Sequence, residues 1–351
     1  MTIPATLRVE ADRIEVLDQT CLPYETRYAP LANWRDAAAA ISRMQVRGAP
    51  LIGVTGAYGL ALALREDASD AMLEQAHAEL LATRPTAVNL RWALDQVFAA
   101  AARVPPAERA ETAWSLARAL QDGDCRSCEA IGTQGVGLLQ QIAARRQGPV
   151  RIMTHCNAGA LATLGSGTAL APVYEAQARS VPVHVWVSET RPRNQGLLTA
   201  WELHQAGIPH SLIADNAAGI LLARNEVDLV ITGADRVAIN GDCANKVGTY
   251  LKALAAADNG VPFYVAAPLS TIDPDCPDGD RIPIEDRGAE EVCTLSGQDD
   301  DGVVRTLRLA PVGTAVLNPA FDVTPARLIR GIITEKGVHD PTTLRQVVSD
   351  V

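Results

Sequence analysis

Val150-Arg151-Ile152-Met153-Thr154-His155-Cys156-Asn157-Ala158-Gly159 is a short apolar run that passes into polar and then small residues. The run has the length of a buried strand, and the small residues after it can open a helix. The same grammar recurs downstream. Strand-like runs stand at 150–154, 183–187, 210–214, 228–232 and 262–267, separated by helical patterns near 157–178, 195–206, 216–225 and 243–258. Strands alternating with helices predict an α/β fold with a doubly wound parallel sheet.

Upstream of this series the chain reads mostly helical. Asn33 can cap a helix whose apolar face is Trp34, Ala37, Ala38, Ile41 and Met44, spaced at the helical period. Further helical patterns run near 70–83, 89–102, 107–121 and 126–147, with breaks expected at Pro105-Pro106 and Asp122-Gly123. Gly148-Pro149 ends the region. Two domains are therefore expected, a helical one over 1–148 and a sheet domain over 149–351. The acidic, turn-rich segment 273–301 reads as a surface loop.

Composition narrows the function. The chain has 351 residues, of which 48% are hydrophobic, and a net charge of −10. No basic block exceeds Arg145-Arg146, which argues against a nucleic-acid partner. Any anionic ligand must be met by a few local cations. No apolar stretch approaches the roughly 18 residues of a membrane span, so no membrane partner is expected. Met1 to Glu10 has no leader pattern. Seven cysteines without a leader fit reduced thiols and a cytoplasmic protein.

Four strand-like runs end in polar groups: Cys156, Ser188-Glu189, Asp215-Asn216 and Asp235. Ligands of open α/β sheets bind at that edge, so these ends are expected to line one cleft. Cys156 reads either as an inert buried cysteine or as a thiol whose pKa a helix start would lower. His155 is a poor partner for it, since neighbours on a strand face opposite ways. Asp235 reads either as the ion-pair partner of Arg236 or as a proton carrier in a partly apolar pocket. Small Gly233 and Ala234 beside it admit a ligand.

Lys246 reads as a lysine near a helix start, either solvated or set to meet an anion. In Arg47-Gly48-Ala49-Pro50, glycine frees the backbone and the arginine can hold a phosphate. Arg84-Pro85-Thr86-Ala87-Val88-Asn89 has the same character but is weak alone. Glu189-Thr190-Arg191-Pro192 with Gln195-Gly196 could form an ion pair or contact a sugar. Cys125-Arg126-Ser127-Cys128 is a lone pair of cysteines, and no histidine cluster accompanies it, so no metal site is expected. Gly132, Gly135 and Gly137 sit inside a helical pattern and make no dinucleotide fingerprint.

In order along the chain, Leu17-Asp18-Gln19, Arg47-Gly48-Ala49-Pro50, Arg84 to Leu90, Thr154 to Gly159, Glu189 to Pro192 with Gln195-Gly196, Gly233 to Arg236, Asn245 to Tyr250 and Ile282 to Glu285 closely resemble the methylthioribose-1-phosphate isomerases of methionine salvage. The resemblance runs from about Asp18 to Lys336. It implies a helical N-terminal domain, a Rossmann-like C-terminal domain and a homodimer. The implied activity is cofactor-free aldose–ketose isomerisation of 5-methylthioribose 1-phosphate to 5-methylthioribulose 1-phosphate. By matching motif, Cys156 and Asp235 are implied as catalytic. Arg47, Gly48, Ala49, Arg84, Gln195, Asn245 and Lys246 are implied as substrate-binding.

One departure marks this chain. After Gln195-Gly196 such isomerases usually carry a small residue and an arginine, whereas here Leu197-Leu198-Thr199-Ala200 follows directly. The alternatives are the same chemistry on 5-deoxyribose 1-phosphate or ribose 1,5-bisphosphate. A third is a protein-binding scaffold like the regulatory subunits of the translation-initiation exchange factor.

Overall fold

The structure, a computed structural model, describes residues 3–10, 13–84 and 88–349. Three short antiparallel strands come first, β1 (Leu7–Glu10), β2 (Arg13–Leu17) and β3 (Tyr28–Pro30). They lie in a region read as helical, although Leu7-Arg8-Val9-Glu10 and Arg13-Ile14-Glu15-Val16 alternate apolar and polar residues as a strand does. Five helices follow: α1 (Trp34–Ser42), α2 (Ala49–Glu66), α3 (Asp70–Ala82), α4 (Val88–Ala102) and α5 (Pro106–Ala143). Asn33 caps α1 as expected. Its side chain accepts from the Arg35 and Asp36 backbone N–H groups, and Asp36 accepts from the Asn33 N–H. Helix α2 is apolar on every side and forms the axis of the N-terminal core.

Helix α5 does not break at Asp122-Gly123. A helical glycine costs only about 1 kcal/mol, and the helix buries side chains on both sides of that point. Trp114, Ala117 and Leu120 join the N-terminal core, while Ile131, Val136 and Leu139 join the core under the sheet.

The second half contains β4 (Val150–Thr154), α6 (Ala171–Ala178), β5 (Val183–Ser188), α7 (Gln195–Gln205), β6 (His210–Ile213), α8 (Ala217–Ala223) and β7 (Leu229–Thr232). Then come β8 (Arg236–Ala238), β9 (Cys243–Lys246), α9 (Thr249–Asp258), β10 (Phe263–Ala266), β11 (Ile272–Asp273), α10 (Glu290–Cys293), β12 (Thr294–Gln298) and β13 (Val304–Arg308). The chain closes with β14 (Phe321–Thr324), β15 (Gly331–Thr334), β16 (Gly337–His339) and α11 (Leu344–Ser349). The main sheet has the order β16-β15-β10-β7-β4-β5-β6 and is parallel apart from β16. Winding runs one way from β4 through β5 to β6 and the other way from β7 through β10 to β15. Its direction reverses between β4 and β7.

Three expectations need correction. Residues 157–170 are not helical but form a loop with one short turn at Ala160–Ala162, and only α6 follows. Gly167 lies in the left-handed region and packs directly on Gly159, and side chains take up the loop's backbone donors. Residues 243–246 are strand β9, because they pair with β8 and β14 in a second small sheet. The segment 273–301 holds β12, whose hairpin with β13 stands on the surface. Among the described residues no helix is long and apolar enough to cross a membrane.

Candidate active site

At the carboxyl ends of β4 and β7 lies a cavity of about 600 Å³, measured out to its open mouth. Its wall includes every residue that the resemblance implied as catalytic or substrate-binding. Cys156 and Asp235 enter from the sheet, Arg47, Gly48 and Ala49 from the start of α2, and Arg84 from beyond α3. Gln195 comes from α7, and Asn245 and Lys246 from β9. Pro85, Thr86 and Ala87 fall outside the described residues.

Cys156 leaves β4 with a φ of 64°, the left-handed region that non-glycine residues seldom adopt. Its backbone is held on both sides. Its N–H donates to Thr190 Oγ1 at 2.8 Å, and its carbonyl accepts from Thr199 Oγ1 at 2.7 Å. No helix starts here, so no helix dipole lowers the thiol. Burial pushes the thiol up, and nearby Lys246 and Arg47 offset only part of that. The group is a neutral thiol at neutral pH. His155 is fully buried and turns away, with Nε2 donating to the Val247 carbonyl at 2.8 Å. Burial, with Lys252 nearby, pushes its pKa down to about 3.

Asp235 is not paired with Arg236, which donates instead to Asp273 at 3.1 Å. Burial raises the Asp235 carboxyl, opposed by Lys246, Arg84 and Arg287. Gly233 is required beside it, since a Cβ there would stand 2.7 Å from the Ala158 Cβ. Lys246 is neither solvated nor in a helix. It is 5% exposed, donates to the Ala320 carbonyl at 3.0 Å and lies 4.7 Å from the centre of the Phe321 ring. Burial, with Arg287 nearby, brings its pKa down to about 8. The N-terminus of α9 is already occupied by Asp322, which accepts from Gly248 N at 2.6 Å and Tyr250 N at 3.1 Å. It offers no seat for a ligand anion.

Arg47 is also buried and bonded at each nitrogen. Nε donates to Gln19 Oε1 at 2.9 Å, Nη1 to the Asn157 carbonyl at 3.0 Å, and Nη2 to Asn157 Oδ1. Gly48 has a φ of 93°, and a Cβ there would lie 2.4 Å from the Ala162 carbonyl oxygen. Arg84 differs. Its Nε is 3.7 Å from Glu285 Oε1, yet Nε and Nη1 are buried without a hydrogen bond, as is Gln195 Oε1. Buried polar groups left open on a cavity wall await a polar ligand.

Not every strand end reaches the cavity. Asp215 accepts from the Ser188 hydroxyl and from Thr190 N and Arg191 N, both at 2.8 Å. It holds the turn that carries Thr190, and Thr190 in turn holds Cys156. The ends of β5 and β6 thus brace the site from behind, because the cavity sits over β4 and β7. Glu189 and Arg191 likewise make protein contacts only: Arg191 donates to the carbonyls of Pro192 and Val292.

Sequence reading missed Arg287, Phe321, Met44 and Asn157 on the cavity wall. Arg287 donates from Nε and Nη2 to Glu285 Oε2 at 3.2 and 3.1 Å and lies 5.2 Å from the centre of the Phe321 ring. It stands just beyond the Ile282-Pro283-Ile284-Glu285 motif, and a run extended by two residues would have included it. Phe321 carries no such signal, being an ordinary strand residue. The shortened segment after Gly196 also has a local explanation. Helix α7 begins at Gln195, and Leu198 packs with Leu17, Leu22 and Leu161.

A profile of the initiation factor 2 subunit family matches residues 45–341. A methylthioribose-1-phosphate isomerase from Methylorubrum extorquens is 57% identical over 94% of this chain and 91% of its own. The crystal structure of 5-methylthioribose 1-phosphate isomerase from Pyrococcus horikoshii superimposes with a TM-score of 0.84 at 36% identity, covering 100% of this chain and 97% of that one. A chain from A. fulgidus described as the delta subunit of translation initiation factor eIF-2B gives 0.79 at 35% identity, covering 99% and 100%. The chain belongs to the initiation factor 2 subunit family, alongside the members of it named methylthioribose-1-phosphate isomerases.

Proposed function

We propose that this chain is an aldose–ketose isomerase that converts 5-methylthioribose 1-phosphate to 5-methylthioribulose 1-phosphate in methionine salvage, as a cytoplasmic homodimer. The observation that carries the reading is the pairing of a half-buried carboxyl, Asp235, whose pKa is pushed up, with a half-buried thiol, Cys156, in one cavity lined by cations. A protein-binding scaffold has no use for that pair, nor for the open donors of Arg84. Seven free cysteines fit a reducing compartment.

The chemistry follows from the substrate. C1 carries the phosphate, so the ring cannot open to a free aldehyde. Asp235, its pKa raised by burial, gives a proton to the ring oxygen as the C1–O bond breaks. Positive charge develops at C1 and is shared with the phosphate-ester oxygen. The hydrogen on C2 then moves to C1 with its electron pair. The C2 hydroxyl returns its proton to Asp235, and C2 becomes the ketone. Atoms and charge balance, and the carboxyl ends as it began.

Cys156 as a neutral thiol is not a resting base. It supplies a dry, weakly polar wall beside the migrating hydrogen, which supports the hydride route over a proton shuttle. Arg84, Lys246 and the Gly48-Ala49 backbone hold the phosphate. Arg47, already bonded to Gln19 and Asn157, adds charge and order. Gln195 and Asn245 meet the sugar hydroxyls.

The test is NMR of the protein with methylthioribose 1-phosphate in D₂O. Ketose without deuterium at C1 is expected. No ketose overturns the isomerase reading, and deuterium at C1 overturns the hydride route alone. Running 5-deoxyribose 1-phosphate and ribose 1,5-bisphosphate in parallel decides the substrate.

A further inference from the structure

Beneath the Cys156 loop lies a carboxylate that the reaction above does not use. Glu202 has no solvent-accessible surface. It shares one face of α7 with Gln195 and Thr199, at helical spacing. Oε1 accepts from Asn157 Nδ2 at 2.7 Å and from Leu161 N at 2.9 Å. Oε2 accepts from Ala160 N and from the Tyr174 hydroxyl, both at 2.8 Å.

Four donors converge on this group, the pattern of an ionised carboxylate, and with Arg47 they oppose the burial that pushes its pKa up. A buried anion persists only when balanced. The cation acting on it is Arg47. Asn157 stands between the two, presenting its oxygens to the guanidinium and its amide nitrogen to the carboxylate. Thr199 completes the arrangement, accepting from Asn157 Nδ2 at 3.1 Å while donating to the Cys156 carbonyl. The local sequence makes room for it: a Cβ on Gly159 would lie 2.1 Å from Glu202 Oε2.

We propose that Glu202 is a positioning residue of this site: a buried anion that orients Arg47 through Asn157 and, through the same loop, holds Cys156 in place. The proposal rests on the isomerase reading, but its first test does not. Hydrogen exchange of the full chain compares wild type with Glu202→Gln and Tyr174→Phe. The Ala160 and Leu161 amides should exchange at least about tenfold faster in Glu202→Gln, as expected when a charged acceptor is lost. Tyr174→Phe removes the donor that points away from the loop and should leave both amides protected. Unchanged exchange in Glu202→Gln overturns the proposal.

Steady-state kinetics with methylthioribose 1-phosphate give the second test. Glu202→Gln should raise KM about tenfold and lower kcat, because Arg47 loses its orientation. A variant that merely folds less well lowers apparent kcat and leaves KM alone, as Tyr174→Phe should if it changes anything. Gly159→Ala, which crowds the carboxylate out, should reproduce the rise in KM. Unchanged KM in Glu202→Gln, or the same rise in Tyr174→Phe, overturns the role. If Glu202→Gln does not fold, Gly159→Ala carries the test by that same rise in KM, and unchanged KM overturns the role. A wild type with no turnover overturns the isomerase reading instead, and exchange still decides the positioning.

Discussion

Cys156 and Asp235 follow adjacent parallel strands, β4 and β7, at the point where the winding of the sheet reverses. The helices after those strands depart to opposite sides there, so the two ends open a crevice that neither fills. Thiol and carboxyl are brought together by this topology, not by closeness in the chain. Burial acts on both in the same sense. It favours the uncharged forms, raising the Asp235 carboxyl and the Cys156 thiol above their ordinary ranges.

Asp235→Asn keeps the shape of the side chain and removes the transferable proton. Turnover of methylthioribose 1-phosphate should fall by about 10²- to 10⁴-fold, the usual worth of a positioned acid–base group. Cys156→Ser replaces a weakly polar wall with a hydroxyl and should also abolish useful turnover. Near-wild-type kcat in either variant, with circular dichroism unchanged, would remove that residue from the mechanism.

Lys246 gives a pH signature. Its pKa of about 8 means that the charge it offers a phosphate is present below that pH and fades above it. KM should rise as pH passes about 8, and Lys246→Met should raise KM at neutral pH and flatten the rise. The sign for stability is the reverse. A depressed lysine stabilises the folded state above its unfolded pKa and withdraws that stability as pH falls through about 8. Bound substrate should therefore raise Tm more at neutral pH than well above pH 8, and an equal rise would count against Lys246 as a phosphate contact.

Gly48→Ala tests the close approach between α2 and the Cys156 loop. The backbone φ is 93° and the added methyl would meet the Ala162 carbonyl at 2.4 Å. Loss of about 2 kcal/mol or more in urea unfolding is expected, with a raised KM because the Gly48-Ala49 backbone moves. Wild-type stability would show that the turn relaxes freely.

His155 sets an acid limit. Its folded pKa of about 3 lies below the ordinary 6.5, so the stability it contributes is present above 6.5 and is lost as pH falls from there toward 3. Urea unfolding should show declining stability across that window, and His155→Gln should show a shallower decline. An equal slope in both proteins would assign the acid sensitivity to other groups.

Much of this was legible in the chain. The strand at Val150–Thr154 announces itself as an apolar run stopped by small residues, and β5, β6, β7 and β10 repeat the pattern. The capped helix at Asn33 was readable from a side chain two and three residues from its targets. Lys246 was misread because the Asn245 to Tyr250 stretch resembles a helix start, and only pairing with β14 makes it strand. Of the two readings of Cys156, the activated thiol depends on a helix start that the structure does not contain. The loop that replaces that helix is held by Glu202 and Asp124, which lie far away in sequence.

Taken alone, the chain determined what short-range periodicity and side-chain chemistry can express: an alternating α/β series, the polar groups at its strand ends, and the ordered motifs that mark its family. The tertiary structure decided which of those ends share a cavity, that Ser188 and Asp215 brace it from behind, and that Arg47 is already bonded while Arg84 is open. It also decided the direction of the shifts at Cys156, Asp235 and Lys246. Burial and opposing charge are summed over residues brought together from the whole chain, so no local window of sequence contains them.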